Sequence, residues 1–230
     1  MKVSRSLLNK IDLLIVFIFE LLFLGLALWA VEIGDMGRFF TVLASMVIIL
    51  VPLAVEKVLK IVLPFGVKSI ISMSLFLHIA GGVMRWYWSP TFPLYNQVAH
   101  FVSGLAVGLI IFVFFIFLDA YGIRFKRSTI LISIFLLMAF FGGLWKIGEV
   151  SSDVFYHTYY NDGLSNLIAC DFSHTIGSIA AVTVSWLYFL SIPEGEGLYY
   201  LLRPFKERKK ILDRSKNGSK TQSHTIPDGK

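Results

Sequence analysis

The chain has 230 residues, 56% of them hydrophobic and 16% charged, where an ordinary soluble domain carries about 25% charged residues. A membrane-spanning helix takes ~20 apolar residues and six take ~120, which the apolar fraction, about 129 residues, matches with little left for a soluble core. This excludes a water-soluble enzyme on a membrane anchor, a disordered protein and an ordinary nucleic-acid-binding domain, and the net charge of +6 has to be read as that of a membrane protein.

The sequence predicts an all-α integral membrane protein, with about six transmembrane helices forming one bundle over residues 1–192. A short basic tail follows over 193–230, and its last fifteen or so residues are expected to be disordered. Lys2, Arg5 and Lys10 precede a first apolar run that looks like a secretory signal. The run is too long for one, contains Glu20 and lacks a small-x-small cleavage site, so it reads as a retained span over 11–31. Further spans are predicted over 38–56, 67–88, 95–118, 128–150 and 167–191, separated by charge clusters, Gly and Pro.

Basic residues set the orientation. Lys2, Arg5 and Lys10, then Lys57, Lys60 and Lys68, then Arg124, Lys126 and Arg127, and nine more in the tail make 18 of the 21 Lys and Arg. Six spans put all of them on one side. The positive-inside rule then makes both termini cytoplasmic, in the plasma or inner membrane. A basic tail beside a membrane fits anionic lipid better than nucleic acid. The expected partners are therefore membrane lipids, with no nucleic acid, and the oligomeric state stays open.

Two connections would face outside. One carries Trp86, Tyr87, Trp88, Phe92 and Tyr95, the other Phe155, Tyr156, Tyr159 and Tyr160. Such rings suit an interfacial belt first, with a lid over a lipid headgroup as the second reading. His157, Asp153 and Asp162 in the second connection read as solvated. His224 in the tail reads as inert. The single cysteine, Cys170, allows no disulfide and no thiolate-cluster zinc site, and reads as a small packing residue.

Ionisable groups inside spans are costly and usually face the bundle interior. Here they recur at helical spacing. The third span has His78, Gly81 or Gly82, and Arg85. The fourth has Asn96, His100, Gly104 and Gly108. The fifth has Gly142, Lys146 and Glu149, and the sixth has Asp171, His174 and Ser178. Gly104-x-x-x-Gly108 is a helix-packing signal. In alternating topology, Arg85, His100, Glu149, Asp171 and His174 fall within roughly 10 Å of the outer interface.

That layer predicts an outward-facing polar pocket. His100, Glu149, Asp171 and His174 are the candidate catalytic residues, with His as base and a carboxylate as its orienter. The same four are candidate ligands for a divalent metal such as Zn, Mn or Fe, although no tight motif such as His-Glu-x-x-His is present. Arg85, Lys146 and Asn96 would bind substrate, the two cations suiting an anionic headgroup. A buried network of ion pairs, Glu149 with Lys146 or Arg85 and Asp171 with a His, is the competing reading. Glu20 and His78, both near mid-depth, are expected to form an interhelical pair, with a proton relay as the alternative.

These residues also carry a resemblance. Asn96-Gln97-Val98-Ala99-His100-Phe101, followed by a Gly-rich span, resembles the Asp-x-x-x-His-Phe segment of VanZ-like membrane proteins. Trp145-Lys146-Ile147-Gly148-Glu149 resembles their next element, a Glu closing the following span. Asp171-Phe172-Ser173-His174-Thr175-Ile176-Gly177 resembles their final Asp…Asn…Gly stretch, and the nearest subgroup is the YjdF-like inner-membrane proteins. The likeness covers roughly residues 75–185. Asn96 stands where an Asp is expected, His174 stands near an Asn, and the Asp-to-Gly spacing is one residue short. The resemblance implies a cell-envelope setting and an association with glycopeptide resistance.

The function expected from the sequence is binding or modification of a lipid or envelope-precursor headgroup. If catalytic, it would be a hydrolase or transferase at the outer leaflet. A proton-coupled or small-solute transporter and a non-catalytic assembly subunit are the alternatives. The apolar stretches 109–118, 131–141 and 179–190 speak against a transport path.

Overall fold

The structure, a computed structural model, describes residues 5–156, 163–193 and 196–203. Seven α-helices are described: α1 Arg5–Glu32, α2 Met36–Ile49, α3 Val51–Leu59, α4 Val67–Val83, α5 Tyr95–Ala120, α6 Arg127–Tyr156 and α7 Gly163–Leu190. Two short 3-10 turns, Trp86–Trp88 and Leu198–Leu202, complete the described elements, and no strand occurs among the described residues. Five helical stretches are long and apolar enough to cross a membrane, with α2 and α3 together forming one of them, Met36–Leu59. The sixth, α4, is apolar but shorter.

The break between α2 and α3 follows from Pro52, which sits in the first turn of α3. Its ring and missing N–H are tolerated at a helix start but disrupt a helix interior. Asp35 starts α2: its carboxylate accepts the Arg38 N–H at 3.0 Å and pairs with the Arg38 guanidinium at 3.0 Å.

The sequence predicts a third span over 67–88, but α4 stops at Val83. At 17 residues it rises only about 25 Å. Arg85 then adopts φ 58°, a left-handed conformation that ends the helical stripe His78–Gly82–Arg85. The chain folds back, and the rings of Tyr87 and Tyr95 close over Gly81. A Cβ on Gly81 would meet Tyr87 Cζ at 2.6 Å and Tyr95 Cε1 at 2.8 Å.

Helix α5 is the axis of the bundle and packs against α4, α6 and α7. Its apolar stretch is 56% buried, while the other four spans are 17–22% buried. The α5–α7 interface is the most extensive, and glycines explain its closeness. A Cβ on Gly104 would lie 2.6 Å from the His174 carbonyl oxygen; one on Gly108 would strike Ala181, and one on Gly177 the Phe101 carbonyl. The Gly104-x-x-x-Gly108 signal is thus a packing face, completed by Gly177 and Ala181 on α7.

Helices α1, α2 and α4 share a second apolar contact built on Phe23, Val42, Ile49 and Val83, with the Phe76 ring tilted against Phe19 and edge-on to Phe23. Large apolar side chains remain exposed along the outside, among them Phe17 and Leu28 on α1, Phe140 on α6 and Leu187 on α7. A surface of this kind is ruinous in water and suited to lipid tails.

The end of the bundle carrying residue 5, here the N-terminal face, is closed by chain from two places. Ile61, Leu63 and Val67 pack with Leu198, Leu201 and Leu202 into the main core. The Val62 N–H donates to the Leu202 carbonyl at 3.0 Å, and the Tyr199 N–H to Asp119 Oδ2 at 2.9 Å. The region expected from sequence to be a polar tail from 193 therefore begins with a buried turn. Residues beyond 203, His224 included, lie outside the described residues, as do His157, Tyr159, Tyr160 and Asp162 of the second aromatic connection.

Candidate functional site

A cavity of about 1020 Å³ opens among α4, the Trp86–Trp88 turn, α5, α6 and α7. It lies toward the end opposite the N-terminal face. Helices α4 and α6 both pack on α5 but not extensively on each other, so the cavity forms between their flanks.

Each wall is a helical stripe. Ser74, His78 and Gly82 come from α4; Asn96, His100, Ser103 and Val107 from α5. Gly142, Trp145, Lys146 and Glu149 come from α6, and Asn166, Cys170, Asp171 and His174 from α7. Six of the seven site residues expected from the sequence, His100, Glu149, Asp171, His174, Lys146 and Asn96, line this one cavity.

The seventh, Arg85, does not. It follows the end of α4 in the left-handed turn and is exposed. Helical continuation to 88 would have aimed it inward; the early end of α4 turns it away and brings Tyr87 in instead. The Tyr87 hydroxyl lies 2.6 Å from His78 Nδ1 and donates to the His78 carbonyl at 3.2 Å. Tyr95 donates to the Leu77 carbonyl at 2.8 Å. The first aromatic connection thus supplies a wall of the cavity.

His78 is the residue that sequence reasoning misplaced. It was expected to pair with Glu20, but no hydrogen bond or ion pair joins them. The α1 side of α4 is occupied by the Phe19, Phe23 and Phe76 rings, while His78 faces α5 and α6. Its ring stands 5.7 Å, edge to face, from His100 and 6.3 Å from Trp145. Glu20 Oε1 is buried without a hydrogen-bond partner among the described residues.

The charged groups are arranged asymmetrically. Glu149 accepts from Lys146 Nζ at 2.7 Å on one oxygen and from Trp145 Nε1 at 2.7 Å on the other. Asp171 stands exposed at the rim and makes no ion pair among the described residues. Asn96 reaches Asn166 Oδ1 at 3.4 Å, and the Cys170 thiol contacts the same oxygen at 3.5 Å. His100 is buried. His174 Nε2 is buried with no hydrogen-bond partner among the described residues, and a Cβ on Gly142 would sit 3.0 Å from it.

The four residues proposed as metal ligands line the cavity but do not converge. No group of three His, Cys, Asp or Glu among the described residues is placed to hold one metal ion. The physical reason lies in their partners and exposure: the Glu149 carboxylate is occupied by Lys146 and Trp145, and Asp171 is exposed while His100 is buried. Three imidazoles, two amides, one ion pair and one free carboxylate can bind a polar group and move a proton.

A second polar cluster lies near the N-terminal face, and the sequence reading had counted its centre, Lys68, as a loop charge. Lys68 is instead in the first turn of α4 and 1% exposed. Its ammonium donates to Asn9 Oδ1 and Glu56 Oε1, both at 2.8 Å, and lies 3.8 Å from Asp12 Oδ2. Glu56 also accepts the Leu63 N–H at 2.6 Å, and Asp12 accepts from Ser69 through both its N–H and its hydroxyl. The signal for this cluster was Asp12 lying one residue inside the first span and Lys68 one residue inside the third.

The chain belongs to the family described as predicted membrane protein (DUF2238), which matches residues 13–191. The match spans every helix lining the cavity. No curated protein and no solved structure matches the chain.

Proposed function

We propose that this DUF2238 membrane protein binds the headgroup of an amphiphile, a lipid or an envelope precursor, in the cavity between α4 and α6. The observation that carries this reading is the lining: polar side chains from four helices share one cavity with Ile79, Val107, Phe141 and Leu144. A polar end joined to an apolar one matches a headgroup with its first chain carbons. The sparse packing of α4 on α6 leaves a sideways route from lipid.

The distribution of Lys and Arg supports cytoplasmic termini in a plasma or inner membrane, which turns the cavity outward. The likeness of Asn96–Phe101 and Asp171–Gly177 to VanZ-like and YjdF-like segments supports an envelope ligand. If the bound molecule is also transformed, His100 is the candidate base, His174 its partner in proton transfer, and Lys146 the group that polarises an oxygen of the ligand. The reaction would be hydrolysis or group transfer at the outer leaflet.

Gly82 offers a clean test. It lines the cavity, and a Cβ added there meets nothing within 4 Å. The side chain of Gly82→Phe starts in open space and takes up room in the cavity. Native mass spectrometry of the purified full-length protein should show retained lipid falling by about tenfold, with unchanged thermal melting. Gly143→Phe, equally free of clashes but outside the cavity, is the control. Lipid retention in Gly82→Phe equal to that in the control would overturn the reading.

A further inference from the structure

The charge inventory of the cavity bears on which headgroup fits. The sequence suggested an anionic one, resting on Arg85 and Lys146. Arg85 lies outside the cavity, and Lys146 is paired with Glu149 at 2.7 Å. With neutral imidazoles, Lys146 and Glu149 cancel, and Asp171 leaves a formal charge of −1 on the lining. A wholly anionic headgroup would meet two carboxylates against a single cation.

Aromatic rings point the same way. Tyr87, Trp88 and Trp145 line the cavity beside these charges. The Trp145 indole is held in place by its bond to Glu149 Oε1, which leaves the ring faces rather than the N–H for a ligand. Ring faces attract ammonium groups, and a carboxylate without an ion pair does so more strongly. Lys146 is not spent: an ammonium has three donors, and one serves Glu149.

We infer that the cavity selects a zwitterionic headgroup, one that carries an ammonium group as well as a phosphate. The ammonium lies by Asp171 and the indole and phenol rings, and the phosphate takes the remaining N–H donors of Lys146. This rests on the reading of the cavity as a headgroup site and adds the sign of the charge that it recognises.

The test is a competition in detergent between equal amounts of phosphatidylethanolamine and phosphatidylglycerol, read by native mass spectrometry on the full-length protein. The wild-type chain should retain the ethanolamine lipid in preference by about tenfold. Asp171→Asn, a change at an exposed rim position, should bring the ratio near one, and Asp171→Glu should keep most of the preference. Equal retention of both lipids by the wild type, or a preference that survives Asp171→Asn, overturns the inference. Gly82→Phe separates the two levels. If it releases lipid while the wild type shows no ethanolamine preference, the site stands and only its charge selectivity falls. If Gly82→Phe releases no lipid, the headgroup site itself falls.

Discussion

Two polar clusters sit near opposite ends of this bundle, and they treat buried charge in opposite ways. Near the N-terminal face, Lys68 is wrapped by Asn9, Asp12 and Glu56, and Ser69 takes up the other Asp12 oxygen. Lys68 and Asp12 are 1% and 0% exposed, so the group is shut against any ligand. Across the bundle, the cavity keeps one intrahelical ion pair, an unpaired rim carboxylate and room for a sizeable molecule. Ionisable groups inside a membrane are expensive in both places. Where the partners close around the charge, the expense is met inside the fold and the outcome is architecture. Where they do not, something outside the chain must meet it.

This contrast can be broken experimentally, and the inner cluster should respond most strongly. Lys68→Met strands Asp12 and Glu56 without their cation, and loss of one partner from a buried ion pair costs about 3–5 kcal/mol. The protein should melt at markedly lower temperature or fail to accumulate in the membrane. Adding Asp12→Asn and Glu56→Gln to Lys68→Met should recover much of the loss. A single Lys68→Met variant as stable as wild type would show that the cluster does not hold α1, α3 and α4 together.

Gly104→Ala comes next. Its new Cβ meets a backbone oxygen, which cannot swing aside, so α5 and α7 must part; overpacking of this kind costs about 1–3 kcal/mol. Melting should fall by the corresponding amount, and His174, which supplies that oxygen, should be displaced from the cavity. Normal melting would mean that the α5–α7 interface is looser than its geometry. The smallest change is Tyr87→Phe, which removes the hydroxyl shared with His78. A buried hydrogen bond contributes about 0.5–1.5 kcal/mol, so melting should shift slightly while lipid retention drops through the freed His78 ring. Retention unaltered in Tyr87→Phe would separate the aromatic turn from ligand binding.

Much of this arrangement is visible in the order of residues. Hydropathy finds the five long apolar helices and the shorter α4 because lipid demands long apolar helices. Helical spacing finds Asn96 with His100, Lys146 with Glu149 and Asp171 with His174, because groups on one face of a helix share surroundings whatever those turn out to be. It fails where the helix does. The stripe His78–Gly82–Arg85 assumes a continuous helix, and the left-handed residue at 85 ends it, so Arg85 leaves the site and Tyr87 arrives from a turn that has no period to read. Lys68 fails for another reason. Counting loop charges treats every Lys near a span end as solvated, and only three-dimensional packing shows Asn9, Asp12 and Glu56 converging on it from two other helices.

The turn Leu198–Leu202 bears on how the protein is made. Its leucines and Tyr200 are buried against the start of α4 and the far end of α5, and its last carbonyl receives the Val62 N–H. A growing chain emerges amino end first, so this turn is made after α1–α7, the helices of the described residues. The joint around Ile61–Leu63 therefore has to wait for a segment made more than 130 residues later before this cover can form. The helices can enter the membrane one by one, but the N-terminal face takes its cover from a turn that follows α7 in the chain.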